Sequence, residues 1–156
     1  MSGTTLLTVT ATVATGVTAG VYGAFSIMVV PALHRRPPGE ALGVMQAVNT
    51  AALKPPFMVL FFGAALSAAA VVAVELFTTR EVDAWRLGGA LLSLGSFVVT
   101  AAYNVPLNRT MAELDPAVPS DRARWPSLIG RWAAGNHVRF LLSTAGLAAF
   151  VIAGSP

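Results

Sequence analysis

The segment AGNHVRFLLSTAGLAAFVIA, residues 134–153, decides the fold of this chain, because it is apolar enough to cross a membrane yet begins with polar residues. A bilayer core requires about 20 mostly apolar residues in a helix. The stretch after Arg139 is at the short end for a crossing, so the helix must begin before Asn136. Asn136, His137 and Arg139 are then drawn to the membrane boundary or below it. Ionisable groups are costly at that depth, so this cluster predicts a functional site.

The composition indicates that lipid, rather than water, surrounds much of the chain. Of the 156 residues 55% are hydrophobic and 11% are charged, and the mean hydropathy is +0.69. A soluble protein of this size has too little interior to bury so much apolar surface. We therefore predict one integral membrane domain over residues 1–156. The net charge of +3 does not indicate a nucleic-acid partner, because no basic run is longer than Arg35-Arg36.

The hydropathy pattern predicts an all-α fold, a bundle of four transmembrane helices. Besides residues 134–153, three segments are long enough to cross, namely residues 5–33, 57–77 and 85–107. We also predict short amphipathic interfacial helices in the first and third loops. The first falls in residues 42–53. The second has apolar residues at positions i, i+3, i+4 and i+7, which are Trp125, Leu128, Ile129 and Trp132.

The charged residues near the helix ends predict orientation and depth. The first and third loops carry most of the basic residues, whereas the second loop carries only Arg80 and Arg86. By the positive-inside rule, the first and third loops face the cytoplasm across the cytoplasmic membrane, and both termini lie outside. Glu75 lies near the second loop and close to Arg80, and we expect its carboxylate to reach water by snorkelling.

Polar residues recur at helical spacing in two other spans. Tyr22 and Ser26 are four residues apart near the end of the first span. They either join helices by hydrogen bonds or line a pocket beneath the loops. Asn104 and Asn108 share a face if the helix continues through Pro106. They either satisfy the backbone at a helix end or form a hydrogen-bonding wall for a polar ligand.

His137 has three possible roles: a general base, a metal or haem ligand, or a hydrogen-bonded interfacial residue. Asn136 and Arg139 are three residues apart and face the same way, and the guanidinium group can stabilise a developing oxyanion. The chain has no cysteine, and no carboxylate lies near His137 in sequence. A zinc or copper site built by the protein is therefore not expected, whereas a haem held by one histidine stays open.

Five short blocks together resemble a known family in their order along the chain. They are residues 22–33 (YGAFSIMVVPAL), 45–49 (MQAVN), 55–57 (PPF), 103–108 (YNVPLN) and 132–139 (WAAGNHVR). The sequence is similar to small four-helix membrane proteins related to anthrone oxygenase. The residues most like the signature positions of that family are Asn49, Asn104, Pro106, Asn108, Asn136, His137 and Arg139. His34 lies outside the blocks, and we interpret it as solvated.

The resemblance implies an oxygenase, since some members of that family are linked to the oxidation of anthrones to anthraquinones during aromatic polyketide biosynthesis. The leading hypothesis is a membrane-embedded oxygenase that oxidises an electron-rich phenolic with dioxygen as co-substrate and no dedicated organic cofactor. His137 would be the base, and the oxyanion clamp would comprise Arg139, Asn104, Asn108 and Asn136. The residues expected to bind the substrate are Tyr22, Ser26, Asn49, Tyr103 and Trp132. A planar hydrophobic substrate would enter from the lipid bilayer.

Two alternative hypotheses use the same residues differently. In one, His137 binds haem or a metal for oxidative chemistry. In the other, the protein is a non-catalytic four-helix subunit or small-molecule binder whose amides only lock helix ends together. A homo-oligomer is compatible with each of these hypotheses.

Overall fold

The computed structural model describes residues 2–79 and 81–155 and forms five helices within them. Four of the helices are long and apolar enough to cross a membrane, which confirms the prediction of an all-α four-helix bundle in an integral membrane protein. Numbered in chain order, the helices are α1 Gly3–His34, α2 Pro38–Ala52, α3 Pro55–Phe77, α4 Ala84–Ala112 and α5 Pro119–Ala153.

Capping residues and prolines set where the helices begin. The Ser2 hydroxyl accepts a hydrogen bond from the Thr5 amide at 3.1 Å and caps α1. Asp83 caps α4, because its Oδ1 accepts from the amides of Trp85 and Arg86, each at 3.0 Å. Helices α2, α3 and α5 begin with proline, whose missing N–H costs nothing in the first turn.

The four long helices form a ring in which each packs on two neighbours. α5 packs on α1 and α4, and α3 packs on the same two helices from the opposite side. The first and third loops meet at one end of the bundle, which we call the cavity end. The second loop closes the other end.

The fourth span differs from its predicted boundaries, because α5 is a single helix of 35 residues. At 1.5 Å per residue it is about 50 Å long, whereas a bilayer core is about 30 Å thick. The predicted interfacial helix of the third loop is therefore the first part of α5 and not a separate element. Its apolar residues are also buried against protein, as Trp125 and Ile129 are 3% and 0% exposed.

A second small core covers the bundle at the cavity end. The short helix α2 packs on α4 and on the first half of α5. Its residues Ala41, Leu42 and Met45 are fully buried in a cluster with Met111 and Ile129. Residues 42–53 were predicted to carry a short interfacial helix, and α2 is that helix, but its apolar face contacts protein.

Both α1 and α4 continue through a proline by widening into one turn of π-helix. The turns span Phe25–Val29 and Thr100–Asn104. In each, an amide bonds the carbonyl five residues earlier, from Val30 to Phe25 and from Val105 to Thr100. Pro31 and Pro106 follow directly, and a proline cannot donate to the carbonyl four residues before it. Single π turns are frequent at functional sites, and both of these turns lie at the cavity end of the bundle.

The prediction that Glu75 reaches water is wrong, because its side chain is fully buried at the second-loop end. Arg86 Nη1 donates to Glu75 Oε1 at 2.6 Å, and the Asp83 amide donates to Glu75 Oε2 at 2.9 Å. The carboxylate thus closes the hairpin between α3 and α4. The predicted neighbour Arg80 lies outside the described residues.

Candidate functional site

A cavity of about 360 Å³ lies at the cavity end, between all five helices. Most of its wall is apolar, and five aromatic residues contribute to it: Tyr22, Phe25, Phe57, Phe61 and Trp132. The polar part of the wall comes from Asn49, Thr100, Asn108, Asn136 and Arg139. An apolar cavity with a few convergent polar groups is the usual form of a small-molecule site.

Arg139 is the charged residue of this wall, and it is only 5% exposed. Its Nη2 donates to Asn136 Oδ1 at 2.7 Å, and its Nη1 donates to Thr100 Oγ1 at 3.3 Å. Its Cζ lies 4.4 Å from the centre of the Tyr22 ring and 5.3 Å from that of Trp132. The buried Nε has no hydrogen-bond partner, and no ion pair among the described residues involves Arg139.

Asn136 fixes the position of the guanidinium and ties α5 to α1. Its Nδ2 donates to the Tyr22 carbonyl and to Ser26 Oγ, each at 2.8 Å. Its amide oxygen is therefore turned toward Arg139 and cannot be replaced by the nitrogen. Ser26 lies in the π turn of α1 and Tyr22 in the α-helical turn before it, so the π turn supplies one of the three contacts of this amide.

Asn104 and Asn108 tie α4 to α5 on the other side of the cavity. Asn104 Nδ2 donates to the Trp132 carbonyl at 3.0 Å, and Trp132 Nε1 donates to Asn108 Oδ1 at 2.7 Å. The helices approach closely at Gly135, where an added Cβ would lie 2.6 Å from Asn104 Oδ1. Asn104 Oδ1 is buried without a hydrogen-bond partner.

Asn49 of α2 lies at the boundary between this cavity and a second one. The second cavity, of about 540 Å³, shares Asn49, Leu53, Val105 and Asn108 with the first. Its other wall residues are Gln46, Thr50, Arg109, Ala112 and Leu114. Asn49 Nδ2 is buried and has no hydrogen-bond partner. Asn49 thus places an unpaired but buried donor beside the junction of the two cavities.

The aromatic side chains form flat walls around the polar groups. Phe25 and Trp132 have ring centres 5.4 Å apart. On the α3 side, Phe61 stacks between Phe57 and Phe97, with ring centres at 6.0 Å and 4.7 Å. Such walls suit a planar aromatic ligand, because stacked aromatic pairs contribute attraction beyond their buried area.

The structure brings most of the predicted site residues together. Six of them line the first cavity: Tyr22, Asn49, Asn108, Trp132, Asn136 and Arg139. Ser26 and Asn104 are buried directly behind this wall and bond to it.

Two predicted residues lie outside the cluster. His137 is on the exposed face of α5, and its Nδ1 lies 2.6 Å from the Ala133 carbonyl of its own helix. Consecutive helical residues point about 100° apart, so the residue next to an inward-facing Asn136 turns outward. Tyr103 is 39% exposed and contacts the edge of α5 near Gly135. Neither residue lines either cavity.

Sequence reasoning missed one polar and three aromatic residues in the wall of the first cavity. Thr100 precedes Asn104 and Asn108 at four-residue intervals, so the helical spacing could have identified it. Phe57 and Phe61 are also four residues apart, and Phe25 lies between Tyr22 and Ser26. Aromatic residues at such spacing usually pack a core, which is why the pattern alone did not indicate a ligand site.

The described residues contain no group of three or more histidine, cysteine, aspartate or glutamate side chains placed to hold a metal ion. The exposed position of His137 places any haem that it bound on the outer face of α5 rather than in the cavity.

Comparison with known proteins agrees with the resemblance seen in the sequence. No curated protein matches the chain, and no solved structure does. A protein-family model described as anthrone oxygenase matches residues 45–149, which is more than half of the chain. The matched segment includes five of the polar residues at the cavities: Asn49, Asn104, Asn108, Asn136 and Arg139. The chain therefore belongs to the anthrone oxygenase family.

Proposed function

We propose that this protein oxidises an anthrone-like phenolic to the corresponding quinone with dioxygen, in the cavity around Arg139. The observation that carries the proposal is a buried guanidinium group that no carboxylate neutralises among the described residues. Removing a charge from water costs several kcal/mol unless a partner offsets it. An anionic ligand in an aromatic-walled cavity supplies that partner, and the enolate of an anthrone is such a ligand.

The oxidation starts with loss of a proton from the methylene carbon opposite the ketone. The negative charge spreads over the rings onto the ketone oxygen, where Arg139 and the neighbouring amides stabilise it. Arg139 belongs to the wall of this cavity, so its positive charge lies close to the bound enolate. By lowering the energy of the enolate, the site allows water to act as the proton acceptor. This proposal differs from the assignment of His137 as base, which rested on sequence alone.

Dioxygen then accepts one electron from the enolate, and the resulting radical and superoxide combine to form a carbon-bound peroxide anion. The peroxide takes up a proton, the remaining C–H bond breaks, and the O–O bond cleaves to release water. One oxygen atom ends in the new carbonyl group and the other in water. The reaction consumes one dioxygen per quinone and requires no reductant.

A membrane location fits this substrate class. Anthrones are flat and hydrophobic, and burial of apolar area drives them into the bilayer and into an apolar cavity. We propose that they reach the aromatic walls from the lipid. In the orientation predicted by the positive-inside rule, the cavity end faces the cytoplasm, where polyketide intermediates are made.

The experiment that tests the function is oxygen uptake by the detergent-purified protein with anthrone, measured above the spontaneous background. Arg139→Gln removes the charge and shortens the side chain but keeps a polar amide in place of the guanidinium. We expect it to lower kcat about 100-fold, in the range found for loss of one oxyanion-stabilising donor. Arg131→Gln is the matched control, since Arg131 is exposed on the same helix and lines neither cavity.

Two results would contradict the proposal. Wild-type protein of native helicity and melting temperature that takes up no oxygen above background is not an oxygenase for this class. Equal rates for wild type and Arg139→Gln would remove the role given to the guanidinium group.

A further inference from the structure

We propose that the second cavity binds a carboxylate substituent of the same substrate, with Arg109 as its partner. This inference rests on the proposed function, since it assigns a part of the substrate to a site adjoining the reaction centre. It predicts that the natural substrate is a fused aromatic body that carries a carboxylate at the end remote from the reacting carbon.

The two cavities adjoin each other. Four residues belong to the walls of both: Asn49, Leu53, Val105 and Asn108. A single ligand can therefore extend from one cavity into the other past the side chains of α2 and α4. Asn49 lies at this junction, and a rotation of its side chain would bring the buried, unpartnered Nδ2 within reach of an oxygen of such a ligand.

The chemistry of the two walls differs in a way that suits two parts of one molecule. The first cavity has five aromatic residues, whereas the described wall of the second has none. The second wall instead holds three side-chain amides, a hydroxyl and the guanidinium of Arg109. No carboxylate lies among its described residues, and no ion pair of the described chain involves Arg109. This wall therefore favours an anionic, hydrogen-bonding group.

The second wall is held in place by the protein itself. Gln46 Nε2 donates to the carbonyls of Met111 and Leu114, each at 2.8 Å. These bonds hold α2 against the C-terminal end of α4. Both Gln46 and Leu114 belong to the wall that also includes Arg109. Because both amide protons are used within the protein, Gln46 shapes the cavity while Asn49 and Arg109 are free to bind a ligand.

The two cationic groups line different cavities, Arg139 the first and Arg109 the second. Asn108 contacts Trp132 through a hydrogen bond of 2.7 Å, and Arg109 is the next residue. The Arg139 backbone is about 10 Å beyond that of Trp132 along α5, but its guanidinium reaches back, and Cζ lies 5.3 Å from the centre of the Trp132 ring. A ligand with its ketone oxygen at Arg139 would thus extend its far edge toward Arg109. A carboxylate at that edge can form a charge-assisted, bidentate contact with a guanidinium.

The test is a binding measurement that does not depend on turnover. Equilibrium dialysis of detergent-purified full-length protein would compare an anthraquinone carboxylate with the neutral anthraquinone carboxamide substituted at the same ring position. The two ligands share the aromatic body and differ in charge. Protein-free micelles correct for partition into detergent. The variants are Arg109→Gln and, as the matched control, Arg124→Gln, which changes an exposed arginine that lines neither cavity.

We expect the wild type to bind the carboxylate about fivefold more tightly than the carboxamide, the gain expected of a solvent-accessible charge pair. In Arg109→Gln the ratio should fall toward one while affinity for the carboxamide stays unchanged. Arg124→Gln should keep the wild-type ratio. Added salt should reduce the wild-type preference, because the pair is accessible to screening ions.

Other results would overturn the inference. A wild-type ratio of one, or binding of neither ligand, means that the second cavity does not hold a carboxylate. An equal fall of the ratio in both variants means that the general basic charge of the loops, or their contact with lipid phosphate, causes the preference. A fall in affinity for both ligands in Arg109→Gln assigns Arg109 a structural role.

The outcome is separable from that of the proposed function. A carboxylate preference that depends on Arg109 in a protein without oxygen uptake would leave the subsite standing and remove the oxidation. Oxygen uptake that depends on Arg139, without any carboxylate preference, would do the reverse.

Discussion

The two ends of the bundle place an arginine in opposite surroundings. At the second-loop end, Arg86 Nη1 lies 2.6 Å from the buried Glu75 carboxylate, and its Nη2 lies 3.2 Å from Asp83. At the cavity end, Arg139 is more deeply buried, yet its contacts are an amide oxygen, a hydroxyl and two aromatic rings. The first arginine is neutralised within the protein, and the second is held in place without being neutralised.

This difference distinguishes a structural charge from one that is available to a ligand. Glu75 and Arg86 close the hairpin between α3 and α4, and their charges cancel in the folded protein. Both arginines have a buried Nε without a hydrogen-bond partner, but only around Arg139 does the protein leave the charge uncompensated. Neutral acceptors offset only part of the cost of burying a cation. The remaining cost is what an anionic substrate can relieve, so the same imbalance that weakens the apo protein strengthens binding.

The largest effect that tests this comparison is expected at the second-loop end. Arg86→Gln leaves the Glu75 carboxylate buried with only the Asp83 amide as a close partner. Loss of one member of a buried pair is strongly destabilising, so we expect the free energy of unfolding to fall by about 3 kcal/mol. Thermal unfolding in detergent measures the change, and oxygen uptake per folded molecule should stay near the wild-type value.

The matching control is Glu75→Gln, which removes the buried negative charge and leaves the partly exposed Arg86 able to reach water. It should destabilise the protein less than Arg86→Gln does. The reverse order would mean that the carboxylate is not the group that requires compensation.

The converse change makes Arg139 resemble Arg86. Asn136→Asp places a carboxylate where an amide oxygen now accepts from Arg139 Nη2 at 2.7 Å. The new internal pair competes with an anionic substrate, so we expect kcat/KM for anthrone to fall about 100-fold, which corresponds to about 2.7 kcal/mol. The melting temperature should not fall in parallel, because the arginine gains a partner. Unchanged kinetics would show that the charge of Arg139 is not used.

The sequence could predict the elements of the fold more reliably than their junctions. Twenty-residue apolar runs predict spans, because the bilayer core sets their length. The pattern did not reveal that α5 continues from Pro119 to Ala153, since its first half is amphipathic and its second half apolar. An amphipathic segment next to a span is compatible with a helix on the membrane surface and with a helix that is covered by another part of the protein. In this chain α2 packs on the first half of α5, so the second arrangement is the one observed.

The site was predictable to the extent that helical spacing determines it. Spacing placed Asn136 with Arg139 and Asn104 with Asn108, and each pair lies on one side of the cavity. Spacing could not decide which way the polar cluster of α5 faces. His137 is about 100° around the helix from Asn136 and about 160° from Arg139, so when the other two face the cavity the histidine turns outward. The π turn that carries α4 through Pro106 also required the structure.

A moderate effect is expected where α4 and α5 cross. In Gly135→Ala, the new Cβ would lie 2.6 Å from Asn104 Oδ1 and from Tyr103 Cδ1, so the asparagine must move. We expect a destabilisation of about 2 kcal/mol, typical of overpacking, together with reduced activity. Gly130→Ala, on the same helix with no atom within 4 Å of its Cβ, should be neutral or stabilising by up to about 1 kcal/mol. Melting temperatures and oxygen uptake of the two variants check both expectations, and equal behaviour would contradict the close contact.

The smallest effect should come from His137, whose ring is exposed and bonded to the Ala133 carbonyl of its own helix. If the reaction depends on the cavity and on the charge of Arg139, the oxygen-uptake rate of His137→Ala should stay within about threefold of the wild-type rate. Changes of that size are usual for substitutions of exposed residues. The measurement is kcat in detergent at matched melting temperature, beside Arg139→Gln. A collapse of kcat in His137→Ala alone would restore the histidine as base and require α5 to rotate during turnover. Such a result would also weaken the comparison between the two arginines, because rotation of α5 would move Arg139 away from its present partners.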